Sequence, residues 1–159
     1  MDNSNLSIIS TNGYAILVSK EDYPILSKYK WSVRLDGNRK YAHTIVGGKV
    51  KQMHRIIIGD SCSGLDVDHK DGNGLNNTRE NLRVATRSEN MCNMGIPKNN
   101  KSGYKGVHWS ELHKKWHARI TKNGKLMHIG FFDDIIQAAK AYNAAAKHFH
   151  GEFARPNPL

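Results

Sequence analysis

The last third of the chain has the clearest pattern of hydrophobic and polar positions. Three short runs, YKGVHWS, KWHARIT and KLMHIGFF, predict strands, and Asn123–Gly124 predicts a tight hairpin between the last two. The following stretch, DDIIQAAKAYNAAAKHFHG, has helical periodicity, with Asp133 or Asp134 as its cap and Gly151 as its stop. Its apolar face comprises Ile135, Ala138, Ala139, Tyr142, Ala145, Ala146 and Phe149. Residues 103–159 are therefore expected to form a three-stranded antiparallel sheet packed on one amphipathic helix.

Residues 1–58 are expected to form a small, β-rich region. GYAILVS predicts a strand, after which Ser19 is expected to N-cap a short helix with Glu21 and Asp22 in its first turn. KWSVRL and KYAHTIV predict two strands joined by the turn DGN. A Gly-Gly turn then leads to KVKQMHRIII, which completes a small curved sheet.

The middle segment, 59–95, has the outline strand, loop, strand, helix. LDVDH and LRVA alternate as strands do, and KDGNG between them is turn sequence. Asn77 is expected to cap a single helical turn in NNTRENL. TRSE is a capping box in which Thr86 and Glu89 open a short helix that carries Asn90. This predicts a ββα unit.

A polar, basic stretch, MGIPKNNKSG, separates this unit from the last one, and we place a linker at 96–102. The whole chain is thus predicted to be α+β. Its 159 residues suffice for one ordinary domain or for two or three small ones.

The charge of the chain favours a polyanionic partner. The formal net charge is +10, and residues 98–127 contain eight Lys or Arg against one acid, Glu111. Nucleic acid is the commonest partner of such a surface, whereas the alternative is a soluble protein that is merely basic.

Other features narrow the class of protein. No apolar run approaches the length of a membrane span, and the N-terminus lacks the apolar core of a signal peptide. Cys62 and Cys92 lie 30 residues apart without a CxxC motif, which fits a reducing compartment rather than a disulfide scaffold or a zinc knuckle. We therefore expect a cytoplasmic protein without membrane contact.

The middle segment also contains candidate chemistry. Asp68 supplies an anionic oxygen for a hard divalent cation, and Asn90 can add an amide oxygen. His69 titrates near neutrality and could take a proton from a water that attacks a phosphodiester. Adjacent strand residues face opposite ways, so Asp68 and His69 border one site only if the strand ends or bulges there.

The sequence VDHKDGNGLNNTRENLRVATRSEN resembles the HNH endonuclease motif in the form found in phage and intron homing endonucleases. By position, the resemblance makes Asp68 and Asn90 the metal ligands and His69 the general base. It assigns Asn81 to the middle asparagine, which ties the loop together and keeps the base oriented. One divalent metal, Mg²⁺ or Mn²⁺, is implied, because an amide oxygen in the last position is a poor zinc ligand.

Other polar residues near the motif have more ordinary interpretations. Asn76, Asn77 and Asn93 are expected to be structural. MHRIII resembles the strand that leads into the motif, and His54 within it is either a phosphate contact or, more commonly for such a residue, a packed or surface histidine.

Residues 103–157 resemble the APETALA/ethylene-response-factor DNA-binding domain through GV.W, KW.A.I, GK...IG.F, AA.AY..AA and the closing G..A..N. The resemblance implies that the sheet enters the major groove of DNA. The base-contact positions are Lys105, His108, Trp116, Arg119 and Thr121, and the phosphate anchors are Lys114, Lys115, Lys122 and Lys125. Trp109 and Trp116 have the alternative interpretation of packing residues.

The two resemblances together imply a phage-encoded homing endonuclease that acts in a bacterial host on double-stranded DNA. It needs no small-molecule cofactor, and a monomer with one active site is expected to nick one strand. The alternatives are a DNA-binding regulator with a relic HNH unit and an RNA-binding protein.

Overall fold

The computed structural model describes residues 5–37 and 39–159, apart from the side chains of Asp60 and Ser61. It comprises two compact units, Met1–Arg87 and Ser88–Leu159, and each has its own hydrophobic core. Several small sheets and short helices make up the described residues, so the predicted α+β class is confirmed. None of the helices in the described part of the chain is long and apolar enough to cross a membrane.

The first unit contains eight strands among its described residues, and they form three small sheets with the orders β1-β2-β7, β3-β4-β5 and β6-β8. The strands are β1 (Asn5–Ile9), β2 (Ala15–Ser19), β3 (Ser32–Asp36), β4 (Arg39–Val46), β5 (Lys49–Gln52), β6 (Asp66–His69), β7 (Asn76–Asn77) and β8 (Leu82–Ala85). The helices are α1 (Tyr23–Leu26), α2 (Met53–Ile58) and a 3₁₀ turn (Gly59–Cys62). A further helix, α3 (Arg87–Cys92), begins at Arg87, the last residue of the first unit.

The strands predicted at GYAILVS, KWSVRL, KYAHTIV, LDVDH and LRVA are confirmed, because alternate residues enter one core. Ile16 and Val18 of β2 are fully buried, and Trp31 precedes β3 in the same cluster. The DGN hairpin joins β3 to β4 as expected, although Asn38 in its turn lies outside the described residues.

The short helix α1 begins later than predicted. Ser19 is not its N-cap, because the Ser19 hydroxyl instead accepts the backbone N–H of Arg79 at 2.9 Å. Asp22 precedes the helix, and its carboxylate binds the Arg79 guanidinium at 2.7 and 2.9 Å rather than capping. Glu21 also lies before the helix. Pro24, whose fixed φ suits a first turn, sets the start at Tyr23.

Two further expectations about this unit are wrong. MHRIII is the helix α2 rather than a strand, because Met53, His54 and Ile57 recur at helical spacing and bury one face. Asn77 does not cap a helical turn but pairs with Val18 in a parallel bridge. A non-helical turn follows it, in which the carbonyl of Thr78 accepts two backbone N–H groups.

The second unit matches its predicted elements closely. Strands β9 (Val107–Ser110), β10 (Lys115–Lys122) and β11 (Lys125–Phe132) form an antiparallel sheet, followed by helix α4 (Ile135–His150) and a 3₁₀ turn (Gly151–Phe153). Asp134 caps α4 by accepting the backbone N–H of Gln137 at 2.8 Å. Asn123 and Gly124 both have positive φ, as the tight hairpin turn requires.

The core of the second unit lies between the sheet and α4. Val107, Ala118 and Ile120 face Ala138, Ala139, Tyr142 and Ala146, and all are buried. Ile135, Ala145 and Phe149 are partly buried against the same cluster, so the predicted apolar face of α4 is confirmed. Gly106 is required here, because a Cβ at its position would overlap the Tyr142 ring.

Candidate functional site

The β6–β8 hairpin positions the candidate acid and base. Asp68 pairs with Arg83 across the hairpin and His69 with Leu82, in a regular register that ends at His69. The Asp68 residue is 2% exposed and His69 is 4% exposed. Since the strand ends there, the sequence expectation that Asp68 and His69 need a strand end or a bulge is met.

His69 lies among aromatic and amide groups. Its Nε2 is 3.4 Å from Oδ1 of Asn77, and its ring centroid is 5.1 Å from that of His54 and 5.8 Å from that of Tyr41. An amide oxygen only accepts hydrogen bonds, so Nε2 is the protonated nitrogen and Nδ1 holds the lone pair. Burial lowers the pKa of His69 below its ordinary value, although the bond to Asn77 opposes this shift. His69 is therefore neutral at pH 7.

Asn77 is the residue that orients this imidazole, and its role was not predicted. The asparagine is fully buried, and its Nδ2 donates to the carbonyl of Gly74 at 3.3 Å. Gly74 must lack a side chain, because a Cβ there would overlap the Tyr41 ring that packs against His69. The motif spacing placed Asn77 in the loop but gave no sign of its contact with His69.

Asn81 holds the loop between the hairpin strands, at the position where the motif places its middle asparagine. Its Nδ2 donates to Oδ1 of Asp71 at 2.9 Å and to the carbonyl of Asn76 at 2.7 Å, and its Oδ1 accepts the Asp71 N–H at 3.1 Å. Burial raises the pKa of Asp71, but hydrogen bonds from Asn73, Asn76 and Asn81 outweigh this and lower it. Asp71 thus stays ionised and anchors the loop.

His54 is packed inside the first unit, where it is 5% exposed and borders the rings of Tyr41 and His69. Of the two interpretations of His54 offered by the sequence, a packed histidine is confirmed, although the residue lies on a helix rather than on a strand. Burial, together with the charges of His69, Arg55 and His43, lowers the pKa of His54 to about 3.

We expect His54 to make folding sensitive to acid. Between about pH 3 and 6.5 the unfolded chain binds a proton at this position that the folded chain does not. The stability that neutral His54 gives the folded protein is therefore fully present above pH 6.5. As the pH falls below this value, the free energy of unfolding decreases by up to about 1.4 kcal/mol per pH unit. In urea unfolding across this pH range, the free energy of unfolding of His54→Phe should decrease less steeply with falling pH than that of the parent protein.

The control for this measurement is His148→Gln, at an exposed position of α4. It should keep the parent's dependence of the free energy of unfolding on pH. If the free energy of unfolding of His54→Phe depended on pH as it does in the parent protein, His54 would not be the source of the acid sensitivity.

Arg83 is the second residue that the sequence did not reveal. Its Nε and Nη2 lie 2.9 and 2.7 Å from Oδ2 of Asp68, and the Arg83 side chain is only 9% exposed. The guanidinium therefore neutralises the buried carboxylate that the motif assigns to a metal.

The predicted metal ligands are one carboxylate, Asp68, and one amide, Asn90. No group of three or more His, Cys, Asp and Glu side chains suited to a metal occurs among the described residues. Carboxylate and amide oxygens are hard donors of the kind that Mg²⁺ and Mn²⁺ prefer, so an ion held by the predicted pair would keep several water or phosphate ligands. Asn90 is half-buried on α3 in the second unit, and its approach to Asp68 stays a prediction.

The predicted DNA-contact residues lie on both faces of the second unit's sheet. His108, Lys115, Arg119 and Thr121 alternate with buried residues and so lie on the face opposite α4. Trp116 instead packs against the core, edge-on to Trp109, and the Lys122 ammonium lies 4.7 Å from the Phe149 ring on α4.

Three further lysines that were predicted to contact DNA differ in the protein groups that they bind. The Lys105 ammonium donates to the carbonyls of Cys92 and Met94, and burial lowers the pKa of Lys105. Lys114 is exposed and paired with Glu111 at 2.7 Å, and Lys125 is exposed at the tip of the β10–β11 hairpin. Lys105 thus has a structural task that the sequence did not indicate.

The motif region matches a known family over the whole hairpin and helix. The HNH endonuclease family aligns with residues 51–92, which include Asp68, His69, Asn81 and Asn90. An uncharacterized HNH endonuclease of Acanthamoeba polyphaga mimivirus is 40% identical over 152 residues, covering 92% of this chain and 76% of that protein. The chain belongs to the HNH endonuclease family.

Two phage proteins are also similar to this HNH endonuclease. Protein 3.8 of Escherichia phage T7 is 39% identical over 104 residues, which are 65% of this chain and 85% of that protein. The DNA endonuclease I-HmuI of Bacillus phage SP01 is 44% identical over 50 residues, or 29% of each chain. Family membership supports DNA endonuclease activity, and all three relatives are viral or phage proteins.

Proposed function

We propose that this chain is a site-specific homing endonuclease that hydrolyses phosphodiester bonds of double-stranded DNA with one divalent metal. The observation that carries the proposal is the buried, neutral His69, held by Asn77 at the end of β6 beside Asp68, within the region that matches the family. The phage origin of two relatives, one of them named a DNA endonuclease, supports the same assignment.

In this proposal His69 is the general base. Because Nε2 donates to Asn77, Nδ1 takes the proton of the attacking water. Asn81 keeps the loop after His69 closed through Asp71 and Asn76, so the imidazole keeps its position during the reaction. A hard divalent cation, Mg²⁺ or Mn²⁺, held by Asp68 and Asn90, would neutralise charge on the phosphate.

The proposal divides the chain by task. Residues 1–58 brace the nuclease, 59–95 form the HNH ββα-metal unit, 96–102 link it to the next module, and 103–159 bind DNA in the manner of an APETALA/ethylene-response-factor domain. The three-stranded sheet with its amphipathic helix and basic outer face supports the last assignment. A monomer with one such centre nicks a single strand.

A strand-resolved cleavage assay tests this function. Duplex fragments of phage DNA with different labels on the two strands are incubated with the protein and Mg²⁺. We expect one strand to be cut at a defined position. Binding without cleavage would instead favour the DNA-binding regulator, and simultaneous cleavage of both strands would contradict nicking.

The exposed cations of the outer face should set the salt dependence of DNA binding. If Arg119 neutralises one phosphate, Arg119→Ala should weaken binding and reduce the slope of log K against log salt by about 0.9. Fluorescence anisotropy at several salt concentrations measures both effects. Lys140→Ala, at an exposed position of α4, is the matched control and should leave the slope unchanged. Equal slopes in the parent protein, Arg119→Ala and Lys140→Ala would exclude the Arg119 contact with phosphate.

A further inference from the structure

Three histidines form a continuous row across the face of the second unit's sheet that lies opposite α4. Nδ1 of His117 on β10 is 3.1 Å from Nε2 of His108 on β9, and its Nε2 is 2.7 Å from Nδ1 of His128 on β11. The ring centroids are 4.6 and 4.8 Å apart. Both nitrogens of the central ring are therefore used by its two neighbours, so the rings form a chain rather than a cluster around one point.

The two contacts limit how many protons the row can hold. A nitrogen-to-nitrogen hydrogen bond contains one proton, so the two contacts hold two, and the outer nitrogens, Nδ1 of His108 and Nε2 of His128, hold at most one each. Three neutral imidazoles carry three protons in all. The intact row can therefore take up one further proton, and a second would break a contact.

The surroundings of the row are basic and aromatic. Arg119 lies on the same face, opposite His128 in the strand register, and Lys115 is ion-paired with Asp133 at 3.1 Å. Phe131 packs against His117 and His128, and His113 stacks on Phe131 with centroids 4.0 Å apart. Of the groups named here from the described residues, Arg119, Lys115 and His113 are basic or titratable and Asp133 is acidic.

We propose that this histidine row (His108, His117 and His128) is a proton-linked contact surface for the phosphate backbone of duplex DNA. The proposal rests on the DNA-binding task proposed above for residues 103–159. A phosphate at either outer nitrogen accepts a hydrogen bond and stabilises the extra proton, so DNA binding takes up one proton.

The free protein holds this proton poorly. Burial, reinforced by Arg119, lowers the pKa of His108, and burial followed by the charges of His108, His128, Arg119 and His113 lowers that of His117. Because bound phosphate raises the affinity for the proton, DNA affinity rises as the pH falls. One proton corresponds to at most about a tenfold change in affinity per pH unit.

The test is the pH dependence of binding to a labelled duplex of mixed sequence. Anisotropy titrations use the full chain at constant ionic strength between about pH 5.5 and 8, with EDTA to prevent metal-dependent cleavage. We expect affinity to increase toward low pH, approaching tenfold per unit, and the triple variant His108→Gln, His117→Gln, His128→Gln to lose most of this dependence. His148→Gln, a histidine on α4 outside the row, should keep the full dependence.

The outcomes separate this inference from the proposed function. If the affinity of the parent protein does not change with pH, or if the change persists in the triple variant, the proposed role of the histidine row is overturned, but the proposed endonuclease activity is not. Absence of DNA binding at every pH overturns the row together with the DNA-binding task of residues 103–159. Nitrogen NMR of the free protein's imidazoles supplies a second readout, and uptake of two protons with the ring contacts intact would contradict the proton count.

Discussion

Replacing His69 with alanine is expected to slow DNA cleavage by about 100- to 10,000-fold, the range that general-base catalysis supplies. Burial lowers the pKa of the His69 imidazole, so the ring is neutral at pH 7 and can accept a proton, as the proposed general-base role requires. Alanine removes that acceptor, and the substitution lies in the first unit. Single-turnover cleavage of a labelled duplex, with protein in excess, measures the rate of the chemical step.

The same variant should bind DNA as tightly as the parent protein, because binding is assigned to residues 103–159. His148→Ala is the control and should retain both the rate and the affinity. Cleavage at the parental rate would remove His69 from the mechanism. Loss of binding along with cleavage would instead contradict the division of tasks between the two parts of the chain.

Replacing Arg83 with methionine is expected to lower the free energy of unfolding by about 3 kcal/mol or more. The substitution leaves the carboxylate of Asp68, whose side chain is 1% exposed, without the guanidinium that now binds it through two nitrogens. Urea denaturation followed by circular dichroism measures the loss.

Arg87→Met is the matched control for this stability measurement. Arg87 is 85% exposed and lies 3.8 Å from Asp66, so its removal should cost less than about 1 kcal/mol. The double variant Asp68→Asn, Arg83→Met should lose less free energy of unfolding than the sum of the losses in Asp68→Asn and Arg83→Met, because it removes both charges of the pair. Equal losses for Arg83 and Arg87 would contradict a buried ion pair.

Local sequence rules predicted those parts of the fold that local interactions specify. The apolar face of α4, its aspartate cap and the Asn123–Gly124 turn each depend on residues a few positions apart. The face and the turn were predicted correctly, and of the two predicted caps, Asp133 and Asp134, the structure has Asp134. The β6–β8 hairpin likewise follows from alternation and turn residues.

The errors arose where distant residues determine the structure. The isoleucine run of α2 has strand propensity, but packing of Met53, His54 and Ile57 into the core makes it a helix. Ser19 and Asp22 bind Arg79, which is about 60 positions away in the chain, rather than α1.

Within the candidate site, the motif indicated Asp68 and His69 but not the side chains that control them. Arg83 and Asn77 reach them across the hairpin and its loop, and neither contact follows from a residue type at a fixed spacing. The histidine row is similar, because its three members come from three strands and meet only through the sheet register.

The central claim is that metal-dependent hydrolysis of DNA occurs at the HNH site. Its most direct test is conversion of a supercoiled plasmid carrying phage DNA, incubated with Mg²⁺, with EDTA, and with EDTA followed by excess Mg²⁺. We expect open circles in the first and third reactions and intact plasmid in the second. Relaxation of the plasmid in EDTA, or an intact plasmid in all three reactions despite bound protein, would contradict it.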